Sequence, residues 1–183
     1  MQFGCGSHQA ARRRLLRVLG WAALSLAVPY SPAAWAEAPR SISLYHTHTG
    51  ERFEGVYFEN GEYVTEAVAA LSHVLRDFRT GDVHRFDARL FDTLFALNAT
   101  CGDGTYEVIS AFRSEQTNQM LRQQSRRVAK DSLHLSGRAI DVRMRGRETR
   151  RLRDAALALQ QGGVGYYASS NFLHLDTGPF RHW

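Results

Sequence analysis

Two short apolar segments that each carry an ionisable group where a core residue belongs constrain this chain more than anything else in it. Ala139-Ile-Asp-Val-Arg-Met144 and Phe172-Leu-His-Leu-Asp176 alternate as strands do, yet Asp141 and His174 sit among Ala, Ile, Val and Leu neighbours. A buried carboxylate or imidazole must be paired or bind a metal, because leaving water unpartnered is costly. Residues two apart on a strand face the same side, so His174 and Asp176 point together. His134 lies seven residues before Asp141, with Gly137 between them to turn the chain. Two imidazoles and a carboxylate suit zinc, and three protein ligands leave a fourth position for water, the catalytic arrangement. Zinc lowers the pKa of such a water to roughly 7. His134, Asp141 and His174 are therefore the expected metal ligands.

The first 36 residues are read separately. Arg12-Arg13-Arg14-Leu-Leu-Arg17 is a basic start, an apolar run follows from about Val18 to Val28, and Ala34-Trp-Ala36 is a small-x-small cleavage site. The apolar run is too short to cross roughly 30 Å of hydrocarbon, so the segment is expected to be a cleaved secretory signal rather than a membrane span. Paired arginines one residue before Leu15-Leu16 point to the twin-arginine route, although Ala11 stands where Ser or Thr would be. The expectation is a periplasmic protein cut near Ala36, with residues 37–183 forming one domain. Of 23 Lys+Arg, four precede Glu37, leaving 19 against 18 Asp+Glu. That near-neutral balance removes the warrant for nucleic-acid binding. Cys5 leaves with the signal, so Cys101 stands alone and reads as a small buried hydrophobe rather than a catalytic thiol.

Along the remaining chain, Ser41–His46 and Arg52–Glu59 alternate and should pair as a hairpin, with Asn60-Gly61 as a tight turn. Thr65 is expected to cap a helix running to about Arg79. Asp87 opens a second, burying Leu90, Leu94 and Leu97, and Gly102-Asp-Gly104 stops it. Tyr106–Ala111 is a strand, Ser114–Ser125 a polar helix, Ala139–Met144 a strand and Glu148–Gln161 a helix. Val164–Tyr167 and Phe172–Asp176 are the last two strands. This is an α+β domain with a mainly antiparallel sheet and flanking helices.

Ser132-x-His134-x-x-Gly137-x-Ala139-x-Asp141 followed by a late His174 resembles the signature of the D-Ala-D-Ala-type zinc peptidases of bacterial cell walls. Ser110-Ala-Phe-Arg-Ser114 is similar to that family's small-aromatic-Arg-Ser segment. Arg76-Asp-Phe-Arg-Thr-Gly81, Gly162-Gly-Val-Gly-Tyr-Tyr167 and His174-Leu-Asp-Thr-Gly-Pro-Phe-Arg-His-Trp183 resemble its murein endopeptidase K branch. The resemblance covers nearly all of residues 37–183. It implies a D-Ala-D-Ala peptidase-like, hedgehog-like fold, with Zn2+ on His134, Asp141 and His174. It also implies peptidoglycan stem peptides as substrate, hydrolysis of their cross-links, and Arg113 as the substrate-binding arginine that steadies the oxyanion.

One departure stands out. Relatives carry a Glu shortly before the last His, where this chain has Ser169, Ser170, Asn171 and Phe172. Asp176 is the replacement candidate, either as the proton carrier or as a carboxylate that orients a His ligand. His182 is a weaker candidate. Tyr166 and Tyr167 either line a glycopeptide groove or pack. His46 and His48, near a turn with no acidic partner in sequence, read as turn and surface residues. Two other readings stay open: a carboxypeptidase that trims stem peptides, and a non-catalytic wall-binding module.

Overall fold

The computed structural model describes residues 38–125 and 128–183. The export-signal reading of residues 1–36, and Cys5 with it, lies outside the described residues. The strands are β1 (Arg40–His46), β2 (Arg52–Glu59), β3 (Glu62–Tyr63), β4 (Thr105–Ser110), β5 (Ala139–Met144), β6 (Gly163–Tyr167), β7 (Phe172–Asp176) and β8 (Arg181–His182). The helices are α1 (Thr65–Val74), α2 (Arg89–Cys101), α3 (Glu115–Gln124) and α4 (Thr149–Leu159). None of the described helices is long and apolar enough to cross a membrane.

The strands form one sheet in the order β3-β2-β1-β4-β5-β7-β6-β8. Only β1–β4 and β6–β8 pair in parallel; the other contacts are antiparallel. The expected α+β class with a mainly antiparallel sheet therefore holds. Alternation sorts the central strands into two faces. Tyr106, Val108, Ile140, Val142, Leu173, Leu175 and Val164 join Leu90, Leu94, Leu97 and Leu152 of α2 and α4 in one apolar core. The Tyr106 hydroxyl, fully buried there, donates to the Leu94 carbonyl at 2.8 Å. The intervening residues, among them Asp141 and His174, face the other side.

Local chemistry explains where the elements depart from the sequence expectation. Asn60 and Gly61 both adopt positive φ, 53° and 82°, as a two-residue hairpin turn requires, and they lead into the short β3 that no pattern announced. Helix α1 ends at Val74 rather than near Arg79. The chain unwinds because the buried Asp77 carboxylate accepts from the backbone N–H (2.9 Å) and hydroxyl (2.8 Å) of Ser114, 37 residues away. Ser114 in turn caps α3 by accepting from Thr117 N. Thr65 is the first residue of α1, not its cap; Val64 occupies that place with no side-chain bond. Cys101 packs against the core at the end of α2, and burial pushes its thiol pKa up.

Candidate metal centre

Strands β5 and β7 place Asp141 directly opposite His174 in antiparallel register. The third residue arrives on a short turn of 3-10 helix, Leu133–Ser136, whose start is capped by Ser132. Gly137 ends that turn with φ +63°, and a Cβ there would lie 2.6 Å from the Arg85 carbonyl. Glycine at this point lets the chain turn sharply from His134 into β5. The three side chains then meet: His134 Nε2 lies 3.2 Å from His174 Nδ1, and Asp141 Oδ1 lies 2.9 Å from His174 Nδ1 and 3.3 Å from His134 Nε2.

The other nitrogen of each ring decides what these three atoms can do. His134 Nδ1 donates to the Ala111 carbonyl at 2.6 Å, and His174 Nε2 donates to Asp176 Oδ2 at 3.0 Å. With the ring protons held outward, the lone pairs of His134 Nε2 and His174 Nδ1 point at each other and at a carboxylate oxygen. Three electron-rich atoms that converge in a buried place fit a cation, and the donor types are those of a first-row metal site. Burial opposes ionisation of Asp141, but the charge and hydrogen bonds of His134 and His174, when an inner nitrogen takes up a proton in place of a cation, outweigh it and hold the carboxyl well below its usual range. Burial also lowers the His134 pKa. It acts on His174 too, where Asp141 and Asp176 outweigh it and raise the pKa.

Arg113 is neither free in solvent nor in a surface pair. Its Nη2 donates to Asp141 Oδ2 at 2.6 Å and its Nε to Ser110 Oγ at 2.9 Å. A register shift between Val108 and Ser110 sets Ser110 opposite Asp141, which brings the segment after β4 to the cluster. Asp141 thus gives one oxygen to the histidine side and the other to a guanidinium.

A cleft of about 570 Å³ opens over this cluster, lined among others by Arg113, Asp131, Tyr167, Phe172, Arg181 and Trp183. Asp176, offered by the sequence as a proton carrier, is not among its lining residues. The carboxylate lies behind His174, fully buried. It accepts from Arg181 Nη1 (3.0 Å) and Nη2 (2.7 Å), Gly163 N (3.0 Å) and Gly178 N (2.8 Å). Burial alone would raise its pKa; the bonds from His174, Arg181 and Gly178 depress it instead. A carboxylate so saturated and so placed is enclosed behind the His174 ring and is not open to the cleft.

The structure also separates the two tyrosines. Tyr167 lines the cleft, whereas Tyr166 packs against the core with the Arg153 guanidinium 4.8 Å from its ring. Neighbouring strand residues face opposite sides, so only one of the pair could reach the groove. His182 likewise lies outside the cleft, beside Tyr166 in a separate hollow. The surface reading of His46 is overturned: its ring is fully buried against Phe78, 5.7 Å away, a contact set by the loop after α1. Sequence reasoning missed Asp131, Arg181 and Trp183. The last two sit on a two-residue strand and its exit, too short to show any alternation.

A buried His-Asp-His donor set at the base of an open cleft is the architecture of a metal-dependent hydrolase. Comparison with known proteins agrees: residues 34–183 match the M15 peptidase family described as peptidoglycan L,D-endopeptidase MepK, and the chain belongs to that family. It is 42% identical over 177 residues to the peptidoglycan L,D-endopeptidase MepK of Escherichia coli K12, covering 94% of this chain and 97% of that protein. The MepK of Shigella flexneri is similar to the same degree. The probable peptidoglycan L,D-endopeptidase MepK of Haemophilus influenzae is 39% identical over 170 residues, covering 90% of this chain and 91% of the relative. No solved structure matches significantly.

Proposed function

We propose that this chain is an exported zinc peptidase that hydrolyses peptide cross-links of peptidoglycan as an L,D-endopeptidase. The observation that carries the reading is the convergence of two imidazole lone pairs and a carboxylate oxygen beneath a cleft, in a chain 42% identical to such enzymes. Zinc held by His134, Asp141 and His174 would supply Lewis acidity toward water and toward the scissile carbonyl. Asp176 fixes the His174 tautomer, and Ala111 does the same for His134, so both rings are set before any ligand arrives. Arg113 restrains Asp141 through Oδ2. With Nε–H and one Nη2–H engaged, the remaining N–H groups of the guanidinium are left to donate to a carbonyl oxygen as negative charge develops on it. Asp131 is the lining carboxylate not committed to the metal cluster, and it is assigned to carry the proton to the leaving amine.

Purified protein incubated with isolated sacculi should release products of cross-link cleavage, read by mass spectrometry, and a chelator should stop it. Release of single amino acids from stem peptides without loss of dimers would establish the carboxypeptidase instead. Binding to sacculi without any product would establish the wall-binding module. The export reading rests on the arginine cluster, apolar run and Ala-x-Ala site of residues 1–36. N-terminal sequencing of periplasmic protein should begin at Glu37; a start at Met1 contradicts cleavage.

A further inference from the structure

Three large side chains of the described domain are about half exposed: Val83 at 53%, Trp183 at 52% and Phe180 at 45%. Scattered exposed apolar residues are ordinary and call for no explanation. Trp183 differs because it lines the cleft and is held there from several directions. Its backbone N–H donates to the Val164 carbonyl at 3.2 Å, and its carbonyl accepts from Tyr166 N at 3.0 Å. Its indole Nε1–H donates to the Tyr167 hydroxyl at 3.1 Å. The indole lies 5.3 Å from the ring of His174 and 5.2 Å from the guanidinium of Arg181, which grips Asp176.

Beneath the indole is Gly165, paired with His174 across β6 and β7. A Cβ on Gly165 would have three indole atoms, Cε2, Cζ2 and Nε1, as its nearest neighbours at 2.6–2.8 Å. Real contacts are not that short, so the indole occupies its place only because residue 165 has no side chain. A large flat surface has thus been fixed next to the ring of His174, where it lines the cleft with about half of its area exposed. Aromatic residues of this kind give extensive contact at low entropic cost, because little freedom remains to be lost.

We infer that Trp183 is a substrate-positioning residue: its indole is the wall against which the aliphatic part of a stem-peptide residue beside the scissile bond lies, and Gly165 is the specificity position that admits it. The inference rests on the reading of the chain as a peptidase of peptidoglycan cross-links, and it assigns one side of the cleft in that reading. Trp183 takes no part in bond making. Its loss should therefore weaken substrate binding more than it slows turnover, and should leave the metal untouched.

The test is steady-state hydrolysis of purified cross-linked muropeptide dimers by the full-length chain, with zinc content measured on each preparation. Trp183→Ala should raise KM about tenfold or more, change kcat less, and keep its zinc, while Trp183→Phe should recover most of the loss. Gly165→Ala should reproduce the Trp183→Ala defect by displacing the indole. Added to Trp183→Ala it should cost little further, because the three nearest atoms that the Cβ would meet are then gone. An unchanged KM in both Trp183→Ala and Gly165→Ala overturns the inference, as do defects that simply add in the double variant. A merely structural role would lower the active fraction, and so kcat, without moving KM. Equilibrium binding of a dimer to wild type and to Trp183→Ala separates the two levels of the argument. A wild type that binds dimers more tightly than Trp183→Ala without cutting them contradicts the peptidase reading and upholds the contact; equal binding by wild type, Trp183→Ala and Gly165→Ala contradicts the contact.

Discussion

Among the described residues two pairs of histidines lie ring beside ring, and one of them is arranged to hold a metal. His134 and His174 keep their ring protons outward, on the Ala111 carbonyl and on Asp176, so that bare nitrogens face each other beside Asp141. His46 is arranged the opposite way. Its Nδ1 accepts from the backbone N–H groups of His48 and Thr49, at 3.3 Å each, which leaves the proton on Nε2. That Nε2–H is buried and has no hydrogen-bond partner among the described residues. Burial, aided by the nearby His48 and Arg76 and against the pull of Glu51, lowers the His46 pKa to about 4. His48 stacks on Phe78 at 4.1 Å instead of turning toward His46. Spacing in the sequence does not separate a metal site from a buried histidine; the placement of the second ring proton does.

The comparison breaks most easily at the ligands themselves. Replacing His134 or His174 by Ala should bring cross-link hydrolysis to the no-enzyme background, whereas the same change at His48 should leave it intact. Digestion of muropeptide dimers under equal zinc checks both, and residual turnover in His134→Ala would falsify the site. Arg113→Ala comes next. It removes the proposed oxyanion donor, with an expected loss of about 10²–10³ in kcat, and also frees Asp141 Oδ2. Single-turnover rates at saturating substrate and zinc measure it, and a wild-type rate removes Arg113 from catalysis.

Asp176→Asn should act more gently, through ring orientation. A loss of about 10–100-fold in zinc affinity or activity is expected. Zinc titration together with rate measurement decides the matter: a loss beyond about a thousandfold with zinc fully retained would return Asp176 to the role of proton carrier. The smallest effect belongs to the other histidine pair. A folded-state pKa of about 4, against 6.5 for the free side chain, means that protonation favours the unfolded chain. The His46 contribution is therefore intact above pH 6.5 and is lost as pH falls toward 4, by about 3 kcal/mol in all. Denaturant unfolding across that window should show the slope in wild type and a shallower one in His46→Asn; parallel profiles would contradict the buried neutral ring.

How much of this was legible beforehand depended on range. The spans of β5 and β7 were read correctly from alternation, as were the positions of Asp141 and His174 on them, because a strand's period is local. The turn at Gly137 was legible for the same reason. The end of α1 was not, since it is decided by an Asp77–Ser114 contact across 37 residues. Burial of His46 depends on Phe78, which the loop after α1 folds over the hairpin turn. The role of Asp176 stayed undecided in the sequence because a shared strand face with His174 fits a base and an orienting carboxylate equally. Its enclosure by Arg181, Gly163 and Gly178 is a tertiary feature that favours the orienting role in the proposal above. Trp183 carried no periodic signal, only its place in a segment that resembles the family: its position beside His174 comes from parallel pairing of a two-residue strand with β6.

The central claim is that three convergent donors, and not the other histidines, bind the metal. Elemental analysis of purified protein after exposure to zinc and desalting tests it directly. The account predicts about one zinc per chain in wild type and in His46→Asn, and none in His134→Ala or His174→Ala. Undiminished zinc in His134→Ala, or loss of zinc in His46→Asn, would contradict it.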